Sequence, residues 1–295
     1  MSELFRLTCK LSWLKKNVFI DLMDRIVRRP SLQFPGQWGY HCYEPRIYRT
    51  LAKILRNIEV QDFETLITDY ITFVKRPQYL FGKHVNHEFT EICANTILYW
   101  IFARKGNPAL VELLLKKTKE YWQDRSCSLA LILRTFTPVY CPCPPSGITP
   151  LLYVAQTRQS SILQILLQYG ILEREKNPKD IVFKIVFYPS RIRIMDDHEL
   201  VDIQEDAKLC LLLCSRVLRY IPVSEFEKQQ HFGRNPIIPD WLDYIPPGRY
   251  KSACELLHLC RMAIRKQLLP KNMLPDGIFI LPLPAFLQHY LNLEK

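Results

Sequence analysis

The chain has 295 residues, 48% of them hydrophobic and 23% charged, with a formal net charge of +11. That length allows a large core with one or two small modules. The 9 glycines are too few for the turns and phosphate loops of a dinucleotide-binding or β-rich architecture. The most apolar stretch, Leu209 to Cys214, is far too short to span a bilayer, and Arg6, Lys10, Lys15 and Lys16 interrupt the N-terminal apolar residues before a signal-like run forms. The 10 cysteines are therefore expected as free, mostly buried thiols of a reducing compartment, cytoplasmic or nuclear.

In chain order, residues 1–58 are basic, with 11 basic and 4 acidic side chains. Such a segment can meet nucleic acid or an anionic membrane. A solvated helical face explains the same residues, and neither partner is expected. Arg29 to Pro45 reads as a loop. Ile47, Leu51, Ile54, Leu55 and Ile58 make one apolar helical stripe, and Phe63, Leu66, Ile67, Tyr70, Ile71 and Val74 make a second. Helical pattern resumes from Ile92 to Trp122 and breaks at Lys105-Gly-Asn-Pro108. A helix is expected over Ser126–Leu133, before the non-helical Pro138–Pro145. The β-branched, aromatic stretch Ile181–Phe187 is ambiguous, Glu205–Tyr220 predicts a strong helix, and 221–250 reads as a Pro-rich, packed linker. Ser252–Leu268 predicts a helix, followed by a short Pro-containing tail.

Gly147-Ile-Thr-Pro-Leu-Leu-Tyr-Val-Ala155, then Ile162-Leu-Gln-Ile-Leu-Leu167, then Gly170, specify a helical hairpin. Thr149 can cap a helix whose first residue is Pro150, where the missing N–H costs nothing. Leu151, Val154 and Ala155 would face inward, as would Ile162, Ile165 and Leu166. Gly170 would stop the second helix in the left-handed conformation. The unit resembles an ankyrin repeat, although Leu152 stands at the histidine position and Val154 at the first alanine position. Ala103, Gly106 and Leu110–Leu115 fit a second unit more loosely. One repeat cannot bury its face alone, so further helix pairs must share a solenoid.

Leu256, Cys260 and Ile264 fall at i, i+4 and i+8, along one line of the last helix. A leucine can anchor in a partner's pocket, a small cysteine permits close approach, and a branched residue completes the strip. Further on, Ile278-Phe-Ile-Leu-Pro-Leu-Pro-Ala-Phe-Leu-Gln-His-Tyr-Leu291 has prolines fixing Leu281-Pro282-Leu283-Pro284 as an extended segment. A short helix presenting Leu287, Tyr290 and Leu291 would follow. The first pattern resembles an elongin C-binding box, with Glu255 at a position where Ser, Thr or Pro is usual. The second resembles the cullin-selecting box of SOCS-box proteins, of the type associated with cullin-5. With the ankyrin-like unit upstream, the chain resembles the ankyrin repeat and SOCS box family.

That resemblance implies an all-α fold, a degenerate ankyrin-type helical solenoid ending in a three-helix SOCS box. Charge and periodicity alone give a basic helical region over 1–90, and the resemblance implies ankyrin-like repeats over 91–230 (clearest over 147–176) and a linker with the SOCS box over 232–295. The implied function is non-catalytic. The chain would be the substrate-recognition subunit of a ubiquitin ligase built on elongin B/C and a cullin-RING scaffold, with Leu256, Cys260 and Ile264 binding elongin C. Ile278, Leu281, Pro282, Leu283, Pro284, Leu287, Tyr290 and Leu291 would bind the cullin. A helical interaction scaffold without a ligase is the alternative, and the protein substrate is unspecified. Neither a cofactor nor a metal is expected. Cys127, Cys141 and Cys143 with His84 and His87 lack a matching second ligand pair, and Cys210 and Cys214 at i and i+4 fit a core. No Ser-His-Asp, phosphate-loop or metalloprotease pattern occurs, and Asp196-Asp197 fits a polar turn.

Overall fold

The computed structural model describes residues 17–20, 55, 58–74, 97–98, 101, 107–123, 149–187 and 197–294. These residues contain helices and turns and no strand, so the fold is all-α as the periodicity predicts. Much of the expected helix over Arg46–Ile58, and the features expected over Arg29–Pro45, Ser126–Leu133 and Pro138–Pro145, lie outside them. So do the five candidate zinc ligands. The chain divides into two compact units, one of Met1–Cys127 with Leu131–Ile148, the other of Ser128–Ala130 with Thr149–Lys295.

In the first unit, α1 (Val60–Val74) buries Phe63, Leu66, Ile67 and Tyr70, the i, i+3, i+4, i+7 stripe of an amphipathic helix. α2 (Pro108–Gln123) begins where the Gly-Asn-Pro break predicts. Asn107 Oδ1 accepts the Ala109 N–H at 3.0 Å, and Pro108 takes the first turn, where no donor is needed. Leu110, Val111, Leu114 and Leu115 are buried, and Lys117 bridges to Glu64 of α1 at 3.0 Å.

The second unit starts with the hairpin α3 (Pro150–Thr157) and α4 (Ser160–Gln168). Thr149 Oγ1 accepts the Leu152 N–H at 3.1 Å, the cap its sequence predicts. Leu151, Val154 and Ala155 are fully buried. On α4 the inward stripe is Ile162, Leu163, Leu166 and Leu167, while Ile165, expected inside, is half-buried. Gly170, at φ +76°, closes α4 with two reverse hydrogen bonds, Gly170 N–H to Leu167 O and Ile171 N–H to Leu166 O.

The ambiguous stretch belongs to α5 (Pro178–Phe187), which buries Ile181, Val182, Ile185 and Val186. An i, i+1, i+4, i+5 spacing fits only a helix, and packing on α3 overrides the β preference of the branched side chains. α6 (Asp197–Ser215) packs on α4 and α5 and buries Ala207, Cys210, Leu211 and Cys214. Burial pushes the Cys214 thiol up to about 12, so it stays protonated. α6 stops five residues before the predicted Tyr220. The chain then turns, and the Ile221 N–H pairs with Arg249 O at 2.8 Å.

The expected linker holds another helix, α7 (Val223–His231), and short 3₁₀ turns. Phe226 of α7 meets Phe183, Phe187 and Trp241 in an aromatic cluster with centroid separations of 5.8–6.3 Å about Phe226. The C-terminal module comprises α8 (Leu256–Leu268), α9 (Asp276–Ile280) and α10 (Ala285–Leu291) around Leu268, Leu274, Ile278 and Leu291. α8 starts later than the predicted Ser252, because the Lys251 and Ser252 N–H groups turn back to Pro247 O.

Candidate functional site: the C-terminal helical module

α8 is amphipathic with its polarity turned round. His258, Arg261, Arg265 and Leu268 share the buried face, at i, i+3, i+7 and i+10. Leu256, Leu257 and Cys260 lie exposed, Leu256 at 76%. Burying arginines while leaving leucines in water is unfavourable unless the arginines are fully engaged.

They are engaged mainly by backbone carbonyls, with the buried Arg261 Nε left without a hydrogen bond. Arg249 Nε donates to Ser215 O at 2.8 Å, Arg261 Nη1 to Arg216 O at 3.0 Å, and His258 Nε2 to Leu218 O at 3.2 Å. These carbonyls end α6 and begin the turn after it, where helix acceptors lack intrahelical donors and the dipole favours cations. Arg265, 2% exposed, reaches the repeat-like hairpin. Its Nε pairs with Glu173 Oε1 at 2.6 Å, its Nη2 donates to Leu167 O at the end of α4, and its Nη1 donates to Leu291 O at 3.2 Å. Gln168 Nε2 to Asn292 O (3.1 Å) and Arg216 Nη1 to Leu293 O (3.1 Å) fasten the end of α10 to the same body. The module is thus built onto the helix ends of the repeat-like region.

Burial and the neighbouring guanidinium groups of Arg249 and Arg261 draw His258 down to about 4, so its ring is neutral at physiological pH. Nε2 then carries the proton donated to Leu218 O, and Nδ1, which has no hydrogen-bond partner, carries a lone pair rather than an orphaned N–H. Glu255 occupies the N-cap of α8 without capping it. Its carboxylate pairs with Arg249 Nη1 at 2.7 Å, and this bond holds it below the usual carboxylate range.

Of the first sequence strip, Leu256 and Cys260 are exposed and Ile264 is partly buried against the module's own core. The second motif divides. Ile278 and Leu291 are core residues, and Leu281 and Leu283 pack partly against that core. Leu287 is half-buried, and Tyr290 lies under Arg261, whose guanidinium is 3.4 Å from the ring centroid. Pro282 and Pro284 are exposed. Leu281 (φ −65°, ψ 139°) and Pro284 (φ −54°, ψ 145°) have the polyproline conformation their sequence predicts. Gln288 Nε2 holds the segment to α10 through Leu281 O at 3.0 Å.

Sequence reasoning missed two groups. Ile280 (76% exposed) and Phe286 (63%) flank the exposed prolines and extend their apolar surface. The inward basic residues Arg249, His258, Arg261 and Arg265 also went unremarked. The 258, 261, 265, 268 spacing was their only sequence signal. Among the described residues, no cluster of three His, Cys, Asp or Glu could hold a metal, and no helix is long and apolar enough to cross a membrane.

The family model "SOCS box" matches residues 252–292, from the turn before α8 to the end of α10. The chain is 69% identical over 295 residues to a mouse protein named Ankyrin repeat and SOCS box protein 17, and 69% identical to the dog protein of that name, with both partners covered completely in each case. The human protein so named is 68% identical over 294 residues, again with full coverage of both chains. No solved structure matches. A SOCS-box module docked on a helical hairpin with ankyrin-like caps, and relatives alike over their whole length, establish that the chain belongs to the ankyrin repeat and SOCS box protein family.

Proposed function

We propose that this chain is a non-catalytic substrate-recognition subunit of a cullin-RING ubiquitin ligase, recruited through elongin B/C and selecting a cullin-5-type scaffold. The observation that carries the reading is the reversed polarity of α8. Its arginines Arg261 and Arg265 are spent inside, and its Leu256–Cys260 strip faces outward. An apolar helical strip in water is a surface awaiting a groove. Leu256, Cys260 and the exposed edge of Ile264 form the elongin C face.

Pro282 and Pro284, with Ile280 and Phe286, form the cullin-facing surface. Ile278, Leu281, Leu283, Leu287, Tyr290 and Leu291 shape it from behind, as core or half-buried supports. The repeat-like body captures the protein substrate. Arg265 and Arg261 couple that body to α8, which sets the distance and orientation of substrate relative to the ligase. The free thiols Cys210, Cys214, Cys254 and Cys260 accord with work in the cytoplasm or nucleus.

Co-purification tests this. The full chain expressed with elongin B/C should retain both through size exclusion, and Leu256→Ser with Cys260→Ser should release them. Retention by the double variant, or no retention by the parent chain, would leave an interaction scaffold without a ligase.

A further inference from the structure

On another side of α8 a cavity of about 460 Å³ opens toward the end of the repeat-like hairpin. That is within the roughly 300–1,000 Å³ of ligand-binding clefts. Its floor is apolar, made by Leu172, Val217, Leu259 and Met262. At 100° per residue, its α8 residues Leu259, Met262 and Lys266 lie on average roughly 130° around the helix from the centre of the Leu256–Cys260–Ile264 strip. A partner on the strip and a ligand in the cavity therefore address different sides of one helix.

The charges around the cavity are unbalanced. Two carboxylates line it, Glu173 and Glu175, against Arg216, Arg219, Arg265 and Lys266. Glu173 is committed to Arg265. Glu175 is partly buried, and that burial pushes its carboxyl up toward the neutral form. In the lining, the Arg216 and Leu218 carbonyls are already taken by Arg261 and His258. Arg216 donates to Leu293 O, and no described carboxylate pairs with Arg216, Arg219 or Lys266. Uncompensated cations thus border an apolar floor. That combination favours an apolar side chain accompanied by negative charge.

We propose that this cavity docks an acidic peptide segment, which buries one bulky apolar side chain on the Leu172–Met262 floor while flanking carboxylates meet Arg219 and Lys266. The site gives the chain a second recognition surface. It is separate from the α8 strip and does not depend on ligase recruitment.

The probe is a displayed library of random dodecapeptides selected on the full chain, followed by fluorescence polarisation of the synthetic winner. Selected peptides should carry a Leu, Ile, Phe or Trp within two positions of at least two Asp or Glu. The exposed-site reversal Arg219→Glu with Lys266→Glu should weaken binding at least tenfold while leaving the melting temperature in place. Ala263→Trp, at the cavity edge, should weaken it by steric filling. Leu256→Ser with Cys260→Ser should bind the peptide unchanged. Selection of neutral or basic peptides, no enrichment at all, equal binding by the charge-reversed variant, or loss of binding in the strip variant would each overturn the proposal.

Discussion

Arg265 and Glu173, in the C-terminal module and the repeat-like region, are joined by a 2.6 Å ion pair inside the protein. The same guanidinium reaches Leu167 O and Leu291 O, so one side chain ties three stretches of chain together. Arg265→Met should strand the Glu173 carboxylate and take the side-chain donor from Leu291 O, while Leu167 O keeps the Gly170 N–H, at a cost of about 3–5 kcal/mol. Adding Glu173→Leu should recover part of that loss, because the stranded charge goes with it. Urea unfolding of the single and double variants reads both quantities.

Gly170 does more than end a helix. A Cβ built there would lie 2.8 Å from Leu274 Cδ1 and closer still to Leu269 Cδ1, on a backbone at φ +76°. Gly170→Ala should cost about 1–2 kcal/mol in left-handed backbone strain, with about 1–3 kcal/mol more for overpacking against the two leucines. A fall in melting temperature checks it, and shortening Leu269 in the same chain should relieve the second part only.

His258 makes the module acid-sensitive. The groups facing it are Arg249 and Arg261, both cationic, the Leu218 carbonyl and the Glu255 carboxylate beyond Arg249. Its folded-state pKa of about 4 lies below the ordinary 6.5, so the unfolded chain binds more protons between those values. Stability should therefore hold above pH 6.5 and fall as pH drops toward 4, by roughly 1–3 kcal/mol from this residue. His258→Gln, which keeps a donor near Leu218 O, should flatten the decline in that window.

Exposed and buried positions of the second motif should behave differently. Ile280→Ser and Phe286→Ser should alter stability by no more than about 0.5 kcal/mol, being surface changes, yet remove cullin from a pull-down with elongin B/C. Ile278→Ala should cost about 2–5 kcal/mol through a core cavity and weaken every interaction of the module together. Equal melting curves for the three variants would contradict the division.

The local signals were legible in the sequence, the long-range ones were not. Thr149, Pro150 and Gly170 are cap residues whose roles depend on immediate neighbours, and each stands where its chemistry predicts. That Leu256 and Cys260 share one line of α8 follows from helical spacing. α7 escaped notice because Val223 and Phe226 are its only buried side chains, too few to display a period. The buried arginines escaped because their partners are mostly backbone carbonyls, which every residue carries and no sequence pattern marks. Arg261 and Arg265 find those carbonyls only where the folded chain brings the ends of α6 and α4 to them.

The turned-round polarity of α8 also fixes how portable the module is. The segment matched as a SOCS box starts at residue 252, yet the acceptors for Arg261, His258 and the Arg265 Nη2 group lie between Leu167 and Leu218. Cut out at that boundary and fused to a foreign domain, α8 would carry bare guanidinium groups on one side and bare leucines on the other. A transplant that keeps its shape must begin near Thr149, where the continuous stretch of that compact unit begins.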